Sequence, residues 1–147
     1  MKILVGVDLS ECTEMVINKA REIAKGLSAE VWLLHVAEPE PDFVGFDVGP
    51  QAERDALSEK FHREHAEIQA IAKQLRSEGL ETMALLVQGA TVETILNEAA
   101  KLRTDIIILG SHGRGAMHRL LVGSISEGVL RHAKSPVLIV PTHERTE

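Results

Sequence analysis

Cysteine occurs once in this chain, at Cys12. One thiol cannot form an internal disulfide, which fits a reducing, cytoplasmic setting. Cys12 is expected to be a small buried hydrophobe on the first helix. Long apolar runs are missing too. Stretches such as residues 106–109 are far too short to cross a bilayer, so no membrane insertion is expected. No charged segment followed by an apolar one precedes the first strand pattern, at 2–7, so no secretory signal is expected. Positive charge is also in short supply: 16 Lys and Arg stand against 22 Asp and Glu, a formal net charge of −6. Nucleic-acid binding without sequence preference depends on lysine and arginine displacing counterions, so that function is not expected.

What is present is an ordinary globular composition, 44% hydrophobic and 26% charged over 147 residues. It suits one domain spanning 1–147, large enough to bury a core without disulfides or metals. Strand and helix patterns alternate. Residues 3–7 read as a buried strand ending at Asp8. Ser10 is placed to cap a helix reaching about 27, with Val16, Ile17, Ala20, Ile23, Ala24 and Leu27 on one apolar face and Gly26 as its stop. A second strand covers 31–36. Segment 37–50 holds Pro39, Pro41 and Pro50 with Gly45 and Gly49, an irregular loop expected to act as a lid over the site. A long helix over 51–77 follows, with Leu57, Phe61, Ile68, Ile71 and Leu75 as its apolar stripe and Gly79 closing it.

The third strand is 82–87. Thr91 caps a helix to about 101, the fourth strand is 105–109, a helix spans 124–133, and the fifth strand is 136–140. Short apolar strands between amphipathic helices predict a single-domain α/β fold, an open parallel sheet covered on both faces, Rossmann-like. Its crossovers should be right-handed.

Ligands of open parallel sheets bind beyond the carboxyl ends of the strands. The first strand ends in Asp8, the second in Val36 and the third in Gln88 and Gly89. The fourth ends in Gly110-Ser111-His112-Gly113-Arg114-Gly115, which stands apart from the others. It is not a P-loop, because no Gly-Lys pair occurs in the chain. It is not the dinucleotide fingerprint, because His118 stands where the third glycine belongs and the segment does not follow the first strand. The protein-kinase signature is absent as well. What does occur is Gly110, two residues, Gly113, nine residues, Gly123 and then Ser124.

Such spacing suits a phosphate cradle. Glycines admit close backbone approach, exposed amides form an anion nest, and Gly123-Ser124 opens a helix whose positive end favours an anion. Ser124 and Ser126 supply hydroxyls, and Arg114, His118 and Arg119 supply positive charge. A tight turn followed by a helix cap is the plainer alternative. His112 with His118, and His62 with His65, lack a third ligand at useful spacing and read as solvated. His35, inside a strand, reads as a satisfied, partly buried histidine, and Trp32 as core. No metal site is expected.

The segment 110–126 closely resembles the ATP-binding motif G-x2-G-x9-G-[ST] of the universal stress proteins. Residues 2–11 resemble that family's first strand with its aspartate, and 130–140 its last helix and strand, so the likeness spans nearly the whole chain. The resemblance implies a sheet ordered 3-2-1-4-5. It places Val7 and Asp8 in the nucleotide pocket, near ribose or adenine, and Val36 against adenine through its backbone. Gly110, Gly113, Gly123, Ser124 and Ser126 would hold phosphates and ribose, with Leu109, Arg114 and Ile125 lining the site. Leu9 departs from the family, which often has a smaller residue there. The ligand implied is ATP, with Mg²⁺ riding on its phosphates.

The implied role is a nucleotide-dependent sensor or regulator of stress response. A slow ATPase or phosphotransferase is the alternative. Binding is favoured over turnover, because no base aimed at a γ-phosphate is visible. The apolar last strand, 137–140, would be a bare sheet edge if unpaired, and a homodimer through it is expected.

Overall fold

The computed structural model describes residues 1–38, 50–112 and 122–142, with backbone alone at Pro50 and Glu53. Among the described residues nine elements alternate: β1 (Lys2–Gly6), α1 (Thr13–Leu27), β2 (Glu30–Ala37), α2 (Pro50–Ser77), β3 (Thr82–Gln88), α3 (Thr91–Leu102), β4 (Ile106–Gly110), α4 (Ser124–His132) and β5 (Val137–Val140). All strand pairings are parallel, and the sheet is ordered β3-β2-β1-β4-β5. This is the predicted order.

Successive side chains on a strand point to opposite faces. Ile3, Val5, Val31, Leu33 and Ile108 therefore meet Val16, Ile17 and Ala20 of α1 and Ile68, Ala72 and Leu75 of α2. Leu4, Leu34, Ile107 and Leu109 meet Ile95 and Ala99 of α3 and Val129 of α4. Both faces are covered, and that is why the strands read as continuous apolar runs rather than alternating ones.

Five local expectations are corrected. Ser10 does not cap α1, which starts at Thr13 after Cys12. The Ser10 hydroxyl donates to Asp8 Oδ1 at 2.6 Å and accepts from the Cys12 amide at 3.2 Å, so it shapes the turn between strand and helix. Cys12 is accordingly half-buried rather than buried. Gly26 does not stop α1. Ser28 does, in the left-handed region at φ 50°, and Leu27 beside it is exposed. Thr91 is the first helical residue of α3, with Ala90 at the cap, and its hydroxyl reaches Glu38 instead.

The fifth correction concerns α2. Ile68 and Leu75 are 0% and 1% exposed, but Leu57 and Phe61 are 49% and 39% exposed. The reason is length. Twenty-eight residues of helix span about 42 Å at 1.5 Å per residue. The eight residues of β2 span about 26 Å at 3.3 Å per residue. The N-terminal part of α2 therefore runs past the carboxyl edge of the sheet and has no strand beneath it.

Candidate functional site at the carboxyl edge of the sheet

From β1 the chain crosses to β2 on one side, and from β4 it crosses to β5 on the other. The crevice between the ends of β1 and β4 is thus the switch point, where a doubly wound sheet leaves room for a ligand. An open cleft of about 1050 Å³ lies there. Its floor is Val7, Asp8, Val36 and the β4 end from Leu109 to His112, and residues 123–126 form one rim. Leu57, Phe61 and Glu64, on the overrunning part of α2, form the opposite wall.

Of the sequence-predicted site residues, Val7, Asp8, Val36, Leu109, Gly110, Gly123, Ser124, Ile125 and Ser126 come together around this cleft. Gly113 and Arg114, with His118, Arg119 and most of the 37–50 loop, lie outside the described residues.

The rim is built by backbone contacts that only small residues permit. The Gly123 amide donates to the Ser111 carbonyl at 2.6 Å. A Cβ on Gly123 would sit 2.9 Å from that same oxygen, inside van der Waals contact. Gly123 is extended, with ψ 163°, and offers α4 no side-chain cap. The first amides of α4 consequently lack the usual cap partner, and the helix dipole adds roughly half a positive charge there. Ser126 is turned inward and donates to the Gly110 carbonyl at 2.5 Å, tying the start of α4 to the end of β4. Ser124 and Ile125 remain exposed beside them.

Opposite lies the Asp8 turn. The carboxylate accepts from the Ser10 amide at 3.0 Å, from the Ser10 hydroxyl at 2.6 Å and from the Thr13 hydroxyl at 3.5 Å. Leu9 is held at φ 59° between them, a conformation that costs a non-glycine residue on the order of 1 kcal/mol. The other carboxylates on the cleft are Glu38 and Glu64, which accept from the Thr91 hydroxyl and face the His35 ring. Each acid lining the cleft therefore has a hydrogen-bond partner among the described residues.

Sequence reading missed two parts of this site. The first is a latch behind the rim. The Thr142 amide donates to Ser111 Oγ at 3.0 Å, and the Thr142 hydroxyl donates to the His112 carbonyl at 3.0 Å. No local signal marks Thr142, because its role depends on β5 lying beside β4. The second is the α2 wall, where a stripe spaced like a core face points into open space. Among the described residues no cluster of three metal-ligating side chains occurs, and no helix is long and apolar enough to cross a membrane.

Comparison with known proteins agrees with this arrangement. The model of the universal stress protein family matches residues 1–141. A universal stress protein of Thermus aquaticus is 33% identical over 94% of this chain and 96% of its own. Universal stress protein MJ0531 of Methanocaldococcus jannaschii is 30% identical over 95% of this chain and 81% of its own. Among solved structures, MJ0577 from the same archaeon superposes with TM-score 0.83 at 28% identity, covering 98% of this chain and 97% of that one. More distant structures at 21% and 20% identity, universal stress proteins solved with cAMP and with dAMP, share the fold with TM-scores of 0.72 and 0.64. The chain belongs to the universal stress protein family.

Proposed function

We propose that this protein binds ATP in the switch-point cleft and acts in the cytoplasm as a nucleotide-dependent sensor or regulator of stress response. The observation that carries the reading is the rim of that cleft. There the uncapped first turn of α4 opens beside a glycine whose Cβ position is closed off by the Ser111 carbonyl. Amides presented in this way suit a polyphosphate. Val36 and Leu109 give the floor apolar surface for a base, and Asp8 lies where a ribose hydroxyl would find an acceptor. Gly110, Gly123 and Ser124 would meet phosphate, with Ser126 holding Gly110 in place and Ile125 covering the ligand. Gly113 and Arg114 complete the motif. The fold is also one that holds adenine nucleotides in the two distant complexes just described.

Binding rather than turnover is part of the proposal. Of the acids lining the cleft, Asp8 accepts from the Ser10 hydroxyl, Glu38 accepts from the Thr91 hydroxyl and Glu64 faces the His35 ring, so each has a structural contact of its own. Mg²⁺ would travel on the phosphates with its own waters, as it does where no carboxylate cage exists. Bound nucleotide would stabilise the fold by mass action and select the conformation offered to a partner.

The decisive measurement is mass spectrometry of small molecules released when freshly purified protein is denatured, with ATP expected. Titration calorimetry should then show weaker ATP binding by Asp8→Ala, and an unchanged affinity would remove Asp8 from the site. We also propose that β5, an apolar sheet edge, pairs with β5 of a second copy. Light scattering at micromolar concentration should give twice the chain mass, and a monomer would refute the pairing.

A further inference from the structure

His35 is the one titratable side chain fully buried among the described residues, at 7% exposure, and the proposed function makes no use of it. It stands near the end of β2, on the face covered by α2. Its Nδ1 lies 2.9 Å from the Val7 carbonyl oxygen, and its Nε2 lies 3.1 Å from Glu64 Oε2. A carbonyl only accepts, so Nδ1 carries a proton and donates to Val7. The ring thereby joins the last peptide before Asp8 to the middle of α2.

The position of that peptide matters for the site. Register pairing of β1 with β2 ends at Gly6 and Leu34. Beyond it the Val7 amide still donates to the Leu34 carbonyl, at 2.9 Å, while the Val7 carbonyl is held by the His35 ring. The C=O and N–H of a trans peptide point in opposite directions. Fixing the Val7 carbonyl therefore also fixes the direction of the Asp8 amide and the point from which the Asp8 side chain departs. The next residue, Leu9, is strained at φ 59°. Such strain persists only where the surroundings over-determine it. Ser10 and Thr13 hold the Asp8 turn from its far side, and His35 holds it from the near side.

We propose that His35 is a positioning residue for the nucleotide site, acting through the Val7 carbonyl to set Asp8, with Glu64 of α2 holding the ring in place. The inference rests on the ATP-binding reading. His35→Leu removes the donor. His35→Asn keeps one near the place of Nδ1 but cannot reach Glu64. His35→Leu should weaken ATP binding roughly tenfold, as loss of one ordering hydrogen bond would, and should speed hydrogen exchange at the Asp8 and Leu9 amides. His35→Asn should restore both to within about threefold of the parent, although both variants lose thermal stability. A merely structural histidine would lower the melting temperature of both variants without separating them in affinity or exchange.

Equal ATP affinity in His35→Leu and the parent, well below the melting temperature, would overturn the inference and leave the ATP reading intact. If the parent binds no ATP, the proposed function falls. Exchange at Asp8 and Leu9 in the ligand-free protein still tests the clamp. Should His35→Leu fail to fold, Glu64→Ala takes its place. Faster exchange at those two amides is expected there too, and unchanged exchange would refute the clamp.

Discussion

The two ends of α2 carry the same apolar spacing and meet different surroundings. In the C-terminal half, Ile68, Ala72 and Leu75 lie over β2 and β3 in the core and are closed to solvent. In the N-terminal half, Leu57 and Phe61 continue the stripe but face the cleft. Between them sits Glu64, bonded to His35, where helix and sheet part company. Helical periodicity identifies which face of a helix is apolar. Whether that face becomes core or the wall of a ligand site depends on whether a strand lies under it.

Ile68→Ala should cost about 3 kcal/mol of stability, because a fully buried side chain leaves a cavity, and chemical denaturation would measure it. Gly123→Ala, on the cleft side, should cost about 1–3 kcal/mol through overpacking against the Ser111 carbonyl. It should also weaken ATP binding at least tenfold on calorimetry, or about 1.4 kcal/mol. Phe61→Ala should cost less than about 1 kcal/mol, as a part-exposed position does, while still changing ATP affinity. A Phe61→Ala protein as destabilised as Ile68→Ala would erase the distinction between the halves.

The smallest effect lies just past the C-terminal end of α2, where Glu78 meets Arg21 and Lys25 of α1. Burial alone would raise the Glu78 carboxyl. The Lys25 hydrogen bond, the charges of Arg21 and Lys25 and the Arg21 hydrogen bond together outweigh it and hold the group below its ordinary 4.5. A group with a lowered folded value contributes stability above its unfolded value and loses it as pH falls through the folded one. Glu78→Gln should therefore flatten the acid side of the stability curve below about pH 4.5 while leaving the cleft's ligand affinity unchanged. A steeper acid limb in the variant would contradict this.

Much of the molecule was legible along the chain because its determinants are local. The five apolar runs became the five strands, and the glycines of 110–126 pointed to the β4 end. The turn chemistry was less legible. Ser10 has the composition of a helix cap, yet the Asp8 carboxylate two residues earlier captures its hydroxyl. Gly26 looks like a helix stop, yet Ser28 takes the left-handed position two residues on. In each case several side chains compete for one backbone site, and a difference of about 1 kcal/mol decides the outcome.

By itself, then, the sequence determined the class of fold, the positions of the five strands along the chain and the glycine-rich segment that follows β4. Periodicity and residue size act over a few neighbours, and they are written in the chain. Only the tertiary structure decided that Thr142 latches Ser111, that His35 grips the Val7 carbonyl and that α2 outruns the sheet to make a wall of Leu57 and Phe61. Those contacts join residues far apart in the chain, 28 positions for His35 with Val7 and 31 for Thr142 with Ser111. Their partners are set by strand order and by the relative lengths of helix and strand, neither of which any local window contains.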